Sequence, residues 1–446
     1  MTQFDAIGVV SAQIVNRSIS SLKPYARNAR THSKAQLRKI ADSIRAFGFV
    51  NPILIDGDGE IIAGHGRLEA AKLLGLHDVP VLPVTHLTPD QKRAYILADN
   101  RLAEQAGWDR EILAIELQGL IDLDFEVELT GFAIAEIDLV LDEDRNRKQG
   151  PASLEAEDDI PALPLGPAIT QPGDIWQLGP HRLICGDARD AKCLDALLEG
   201  EDVDLIFTDP PYNVAIDGHV GGLGKVKHRE FAMASGEMTE AEFTAFLRDA
   251  LSPAAARCRD GAIAFVCMDW RHMREILAAG DAVFDELKNL CVWNKSNGGM
   301  GSFYRSKHEL VFVWKAKPGA HVNSFGLGDT GRYRTNVWDY AGVNSFGASR
   351  DADLAMHPTV KPVALVGDAI RDCSRRGDLV LDMFAGSGTT LIAADLAGRR
   401  GRAVEYDPLY CDTIVARWEK LTGKRAVNVE TGLGREELAA DRKRLA

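Results

Sequence analysis

The feature that most limits what this chain can fold into is a short apolar run that ends in a rigid bend. Val203-Asp204-Leu205-Ile206-Phe207-Thr208 has the length and the Val, Ile and Phe content of a strand buried in a parallel sheet. Asp209-Pro210-Pro211-Tyr212 follows at once. Each proline fixes its own φ and lacks a backbone donor, and Pro211 also restricts Pro210. The bend therefore falls at the carboxyl end of a strand, where open α/β sheets place their ligands. It offers a carboxylate, a bare carbonyl and an aromatic ring, a set that can hold an exocyclic amine and stack on a flat base. Taken alone, the same residues also describe a strand that stops at a Pro-Pro turn, so their meaning depends on whether a cofactor site exists elsewhere.

A second strand-turn-helix lies far downstream. Asp378-Leu379-Val380-Leu381-Asp382 runs into Met383-Phe384-Ala385-Gly386-Ser387-Gly388-Thr389-Thr390 and a helix through Leu396. Glycines at such a turn let a ligand approach the backbone closely. A further strand, Gly401-Arg402-Ala403-Val404, ends at Glu405, 17 positions after Gly388, where a carboxylate suits paired ribose hydroxyls. By itself this fits NAD, flavin or S-adenosylmethionine. Leu391 stands where a third glycine would be, which disfavours cofactors that carry a pyrophosphate.

Residues 31–105 read as a separate small α/β unit. Ser33 and Gln36 form a capping-box pattern, Leu37, Ile40, Ile44 and Phe47 share one helical face, and Gly48 ends the helix. Pro52–Asp56 and Glu60–Ala63 flank Gly57-Asp58-Gly59 as a hairpin. Gly64-His65-Gly66-Arg67 then opens a helix, and a Gly-rich turn with an arginine is either a phosphate site or a tight turn that needs glycine. Thr88-Pro89-Asp90-Gln91 opens another helix.

The net charge of −13 runs against a nucleic-acid partner until its distribution is examined. Residues 104–159 hold 17 Asp and Glu against 4 Arg and Lys, which accounts for the whole excess. Residues 295–334 hold 7 Lys and Arg against 2 Asp and Glu, a basic stretch in an acidic protein. The acidic segment, with apolar positions such as Ile112, Ile115 and Leu120, reads as helical; the prolines at 151, 161, 164 and 167 then suggest an extended linker. The expected divisions are 1–105, 106–167, 168–430 and a tail at 431–446. The 7 cysteines show no Cys-x-x-Cys spacing, so core thiols are expected and no metal. No stretch has the length and apolarity of a membrane span, and the expected location is cytoplasmic.

Two resemblances follow. Residues 12–105 resemble the ParB-like nucleotide-binding domain, whose helix-opening Gly-x-Arg-Arg motif stands here as Gly64-His65-Gly66-Arg67, with Gly in place of one Arg. Residues 172–422 resemble the amino-methyltransferases of DNA, in the permuted order with the catalytic motif first. Asp209-Pro210-Pro211-Tyr212 matches that catalytic motif, Phe384–Thr390 the glycine-rich motif, and His357-Pro358-Thr359-Val360-Lys361-Pro362 the segment preceding it. Val360 stands where Gln is usual and Met383 where Pro is usual. The resemblance implies a Rossmann-like seven-stranded α/β sheet and S-adenosylmethionine as cofactor. It implies cofactor contacts from Asp187 (at the adenine amine), Thr359, Lys361, Asp382, Phe384, Gly386, Gly388, Thr389 and Glu405 (at the ribose). It places target recognition at 295–356, with Lys295, Arg305, Lys307, Arg332 and Arg334 as DNA-binding candidates. DNA with a flipped base, a nucleotide at the first domain and a second copy of the chain are the expected partners, in the setting of restriction-modification.

Asp rather than Ser at the first catalytic position resembles adenine-N6 more than cytosine-N4 enzymes. Cytosine-C5 chemistry needs a nucleophilic cysteine, and none lies beside Asp209. RNA as substrate stays open at this point. So does a protein that binds DNA under nucleotide control through residues 12–105 and transfers no methyl group.

Overall fold

The computed structural model describes residues 13–149, 157–164, 166–214, 234, 236–296, 298, 303–325, 333–342 and 360–445. The chain divides into two compact units, residues 1–144 and 145–446.

In the first unit, β1 (Val15–Ser18), α1 (Lys34–Phe47), β2 (Ile53–Ile55), β3 (Ile61–Ala63), α2 (His65–Leu73), β4 (Asp78–Pro83) and α3 (Pro89–Gln105) follow in order. The sheet runs β1-β4-β2-β3 over a core of Ile53, Ile61, Leu68, Val79 and Val81. The β2–β3 hairpin forms as expected, closed by Asp56 Oδ1, which accepts from the amides of Asp58 and Glu60. The capping box at α1 is only half made. Ser33 accepts from the Gln36 amide, but the Gln36 side chain turns to His32. Thr88 and Gln91 form both halves at α3.

The acidic segment holds α4 (Arg110–Asp122) and α5 (Ile134–Gln149), with a small core of Leu113, Ala114, Leu117, Ile137 and Val140. The helix forms as expected, but Ile112 and Ile115, two of the apolar positions that marked it, are exposed, and Leu113, Ala114 and Leu117 pack with α5 instead.

The second unit contains β5 (Ile175–Leu178), β6 (His181–Cys185), α6 (Ala191–Leu198), β7 (Val203–Thr208), α7 (Glu240–Ala256), β8 (Cys258–Met268), α8 (Met273–Val283), β9 (Glu286–Asn294), β10 (His308–Lys315) and β11 (Val337–Asp339). It continues with α9 (Val363–Cys373), β12 (Leu379–Asp382), α10 (Thr389–Leu396), β13 (Arg400–Glu405), α11 (Pro408–Thr422), β14 (Val427–Asn428) and α12 (Arg435–Leu445). The sheet is ten-stranded, in the order β11-β9-β10-β8-β7-β12-β13-β6-β5-β14. The seven strands from β9 to β6 carry the expected sheet; the short β11 lengthens one edge, and β5 with β14 the other. Strands β6, β13, β12, β7 and β8 are parallel, and β10 is antiparallel to both neighbours.

Alternation along the central strands explains why they read as continuous apolar runs. Leu205, Phe207, Ile263, Phe265 and Val380 point into one core, and Ile206, Ala264, Val266, Leu379 and Leu381 into the other. Both faces of the sheet are covered by helices, so neither face is polar. From the adjacent pair β7 and β12 the chain winds outward in opposite directions. Their carboxyl ends therefore open a crevice between them, the switch point of the sheet.

The expected tail is part of this unit. In α12, Leu438 is buried and Arg442 binds Asp174 through both terminal nitrogens, at 2.7 Å each. The expected linker is fastened too. Asp158 accepts the Val363 amide at the start of α9 at 2.8 Å, and the Glu157 carbonyl accepts from the buried Arg417 at 2.8 Å. A fragment starting at residue 150 keeps these contacts, and one starting at 168 loses them. Each buried donor left unpaired costs about 1–3 kcal/mol. Urea melts are therefore expected to show the shorter fragment unfolding at a distinctly lower midpoint; equal midpoints would show that the tether carries no stability.

Candidate active site

Most residues singled out from the sequence converge on one open cleft at the carboxyl ends of β6, β7, β12 and β13. Asp187, Asp209, Pro210, Pro211, Tyr212, Lys361, Asp382, Phe384, Gly386, Thr389 and Glu405 all line it. Thr359 lies outside the described residues.

The cofactor side is built on Glu405, at the end of β13. Its Oε2 accepts from the Gly386 amide at 2.8 Å and its Oε1 from the Asp407 amide at 2.9 Å. Burial still dominates and pushes its carboxyl up to about 7. Asp187 follows the adjacent strand β6, where Arg189 binds it and holds its carboxyl below the usual range. Asp382 anchors the floor: it accepts from Thr208 at 2.9 Å, Thr390 at 2.6 Å and the Phe384 amide at 3.0 Å, and burial raises its carboxyl to about 6. It thereby ties β7 to β12 and α10, a joining role that the strand pattern did not disclose.

Gly388 caps α10 at φ +82°, in the left-handed region, and a Cβ there would stand 2.8 Å from Ile414 Cγ2. Gly388→Ala is expected to cost about 2–4 kcal/mol, since left-handed backbone and overpacking each contribute. Denaturant titration measures it, and a loss under half a kilocalorie would show that the turn relaxes.

The catalytic side is an ionic cluster. Asp209 Oδ2 accepts from Lys361 Nζ at 2.5 Å and Oδ1 from the Tyr212 hydroxyl at 2.7 Å. Lys361 Nζ is also 2.9 Å from Glu309 Oε2, and Glu309 pairs in turn with Lys295. Burial raises the Asp209 carboxyl, with the Lys361 charge opposing it. Burial works on Glu309 in the same direction, but Lys361 and Lys295 together outweigh it and hold that carboxyl down to about 2. Glu309 was missed in the sequence. The one available signal was a carboxylate near the head of an otherwise apolar strand, His308–Lys315.

The DNA-binding candidates separate. Lys295 belongs to the catalytic cluster, with its Nζ 4.5 Å above the Trp293 ring. Arg334 is committed to Asp372 at 2.9 Å and Asp368 at 3.3 Å on α9, because an arginine half-buried among acids neutralises them; it is not a cation facing DNA. Arg305 and Lys307 are exposed, and Arg305 donates to the Gly298 carbonyl. Arg332 lies outside the described residues, as does the glycine-rich loop at 218–224.

In the first unit, Gly64, His65, Gly66 and Arg67 line a second cleft together with Arg30, His32 and Lys39. Arg67 gives its Nη1 to the Asn51 and Pro52 carbonyls, at 2.9 and 2.6 Å. A Cβ on Gly66 would stand 3.0 Å from His32 and 3.1 Å from Ile40 of α1, so glycine fits this close packing where the resembled motif carries an arginine.

Comparison with known proteins finds relatives for separate parts of the chain. Residues 203–416 match the family described as DNA methylase, residues 111–172 the ParB-methyltransferase HTH domain, and residues 5–101 the ParB N-terminal domain. The chain is 52% identical over 81 residues to the ParB-like nuclease domain-containing protein YnaK of Escherichia coli (strain K12), covering 18% of this chain and 93% of that protein. It is 23% identical over 245 residues to the type II methyltransferase M2.MboI of Moraxella bovis, covering 52% of this chain and 86% of that one. Among solved structures, the PvuII DNA methyltransferase (cytosine-N4-specific) matches at 16% identity with a TM-score of 0.40, over 59% of this chain and 91% of that one. The chain therefore carries a DNA methylase domain of the N6/N4 family, with S-adenosylmethionine as its cofactor, preceded by ParB N-terminal and ParB-methyltransferase HTH domains.

Proposed function

We propose that this chain methylates the N6 amine of adenine in DNA, with the base turned out of the duplex into the cleft. The observation that carries this reading is the Asp209 carboxylate at the end of β7, facing the cleft that also holds Glu405 and Asp187. An adenine amine is a weak nucleophile because its lone pair is delocalised into the ring. Asp209 and the Pro210 carbonyl accept its two N–H bonds, which lets the nitrogen pyramidalise and aim its lone pair across the cleft. Tyr212 stacks on the base.

Bound S-adenosylmethionine supplies an electrophilic methyl on sulfur. Glu405 holds the ribose hydroxyls and Asp187 the adenine amine, while Phe384 and Val366 give the cleft apolar lining. Asp209 or solvent would take the proton that the amine gives up on methylation. Positioning and electrostatics provide the acceleration.

The cleft of the first unit is assigned to a nucleotide. The support is the N-terminus of α2 beside Arg30, His32 and Lys39. Among the described residues no helix is long and apolar enough to cross a membrane.

The test is to express the chain in a host without DNA methylation and to sequence the modified bases. N6-methyladenine at a defined motif is expected. N4-methylcytosine would transfer the reading to cytosine, and unmodified DNA with nucleotide-dependent DNA binding would transfer the function to the first unit.

A further inference from the structure

We propose that Glu309 is a positioning residue for methyl transfer: it receives the Lys361 ammonium when the target amine displaces it from Asp209. The inference rests on the reading above, in which Asp209 accepts the amine.

In the ligand-free protein both oxygens of Asp209 are occupied, Oδ2 by Lys361 and Oδ1 by the Tyr212 hydroxyl. Each oxygen can accept a second donor, but an ammonium kept on Oδ2 neutralises the carboxylate that the amine approaches. Lys361 Nζ stands 2.5 Å from Asp209 and 2.9 Å from Glu309 at once, and 3.3 Å from the Tyr212 oxygen. The Tyr212 oxygen is itself 3.4 Å from Glu309 Oε2. Glu309 is therefore a second acceptor already in reach of both donors. A small movement of Nζ frees Asp209 Oδ2 without leaving a buried ammonium unpaired, which would be costly. The exchange trades one hydrogen bond for another, and no proton changes hands.

The direction of the exchange matters for the chemistry. Positive charge grows on the target nitrogen as the methyl group arrives. An ammonium left on Asp209 would cancel the carboxylate that stabilises that charge and would repel it at close range. Glu309 draws the ammonium aside. Lys295, following β9, holds Glu309 from the other side and balances the cluster at two carboxylates and two ammoniums. The other titratable groups near Asp209 are Tyr212, Cys267 on β8 and Asp382 on β12, and burial favours the neutral form of each.

The geometry arises because β10 runs antiparallel to β8. Its first residues, His308 and Glu309, therefore lie at the end of the sheet where the parallel strands finish, opposite Trp293 of β9.

The test uses the full chain, with duplex DNA carrying its methylation motif. In Glu309→Gln the negative charge that draws the ammonium aside is gone, so kcat/KM for DNA should fall at least about 30-fold, the scale of a lost hydrogen bond to a charged group. S-adenosylmethionine affinity should be unchanged. Adding Lys361→Met removes the blocking ammonium and restores charge balance, so the double variant should be at least about tenfold faster than Glu309→Gln alone, a coupling expected only of groups in one network. A merely structural role for Glu309 predicts the opposite, because the double variant removes a second partner. Glu309→Gln with wild-type kcat/KM, or a double variant no faster than the single, overturns the proposal.

Lys361→Met alone gives an independent reading should Glu309→Gln fail to fold. With the cation gone and Glu309 still charged, Asp209 should hold its proton to higher pH. The acidic limb of kcat/KM should move upward whatever the height of the plateau, and an unmoved limb overturns the proposal. A wild-type chain that methylates no adenine overturns the parent reading, and this inference with it.

Discussion

Asp209→Ala is expected to lower kcat by about 100–1000-fold, the range for removing one preorganised electrostatic contact made chiefly in the transition state. The reason lies in what the carboxylate touches. In the proposed reaction it receives the target amine, whereas the ribose is proposed to lie at Glu405, which accepts from Gly386 and Asp407. S-adenosylmethionine affinity should therefore stay near wild type. The fold should also survive, because Lys361 keeps its 2.9 Å pair with Glu309. Single-turnover methyl transfer with saturating cofactor, together with calorimetric titration of the cofactor, separates the two effects. A variant that keeps a tenth or more of wild-type turnover would remove Asp209 from the role assigned to it.

Glu405→Gln is expected to weaken S-adenosylmethionine by about 1.5–3 kcal/mol, the range for hydrogen bonds to a charged group. The wild-type protein should also show a pH signature that the variant lacks. Burial holds the ligand-free Glu405 carboxyl at about 7. If its ionised form accepts the two ribose hydroxyls as proposed, affinity should rise with pH through 7 and level off above it. Lowering the pH from 8 to 6 should cost about tenfold in affinity, since one pH unit below the pKa leaves only about a tenth of the group ionised. In Glu405→Gln the dependence should be flat. Calorimetry across this pH range checks both statements, and an unchanged affinity in the variant would place the ribose elsewhere.

The sequence by itself determined the parts of this protein that depend on local chemistry. The apolar runs before Asp209 and after Asp378 read correctly as buried strands, because a parallel sheet covered on both faces leaves no polar alternation to confuse the period. Asp209, Tyr212, Gly386 and Glu405 could be named because each ends or follows such a strand, and strand ends on one side of a parallel sheet necessarily meet. The β2–β3 hairpin and the opening of α3 were legible for the same reason: their hydrogen bonds close within a few residues.

What needed tertiary structure were the choices made between distant segments. Which face of α4 is buried depended on α5, and a helix of acids and aliphatics offers two faces of similar apolarity. Arg334 and Lys295 looked alike as exposed basic residues, yet one is consumed by Asp368 and Asp372 and the other by Glu309, none of which is a near neighbour in the chain. Residues 157–164 resembled a linker because proline and acid composition reports the absence of regular structure, not the absence of partners. Glu309 is the clearest case. Its position in the sequence marks only the start of a strand, and the antiparallel return of β10 alone brings that carboxylate between Lys361 and Lys295, beside the catalytic aspartate.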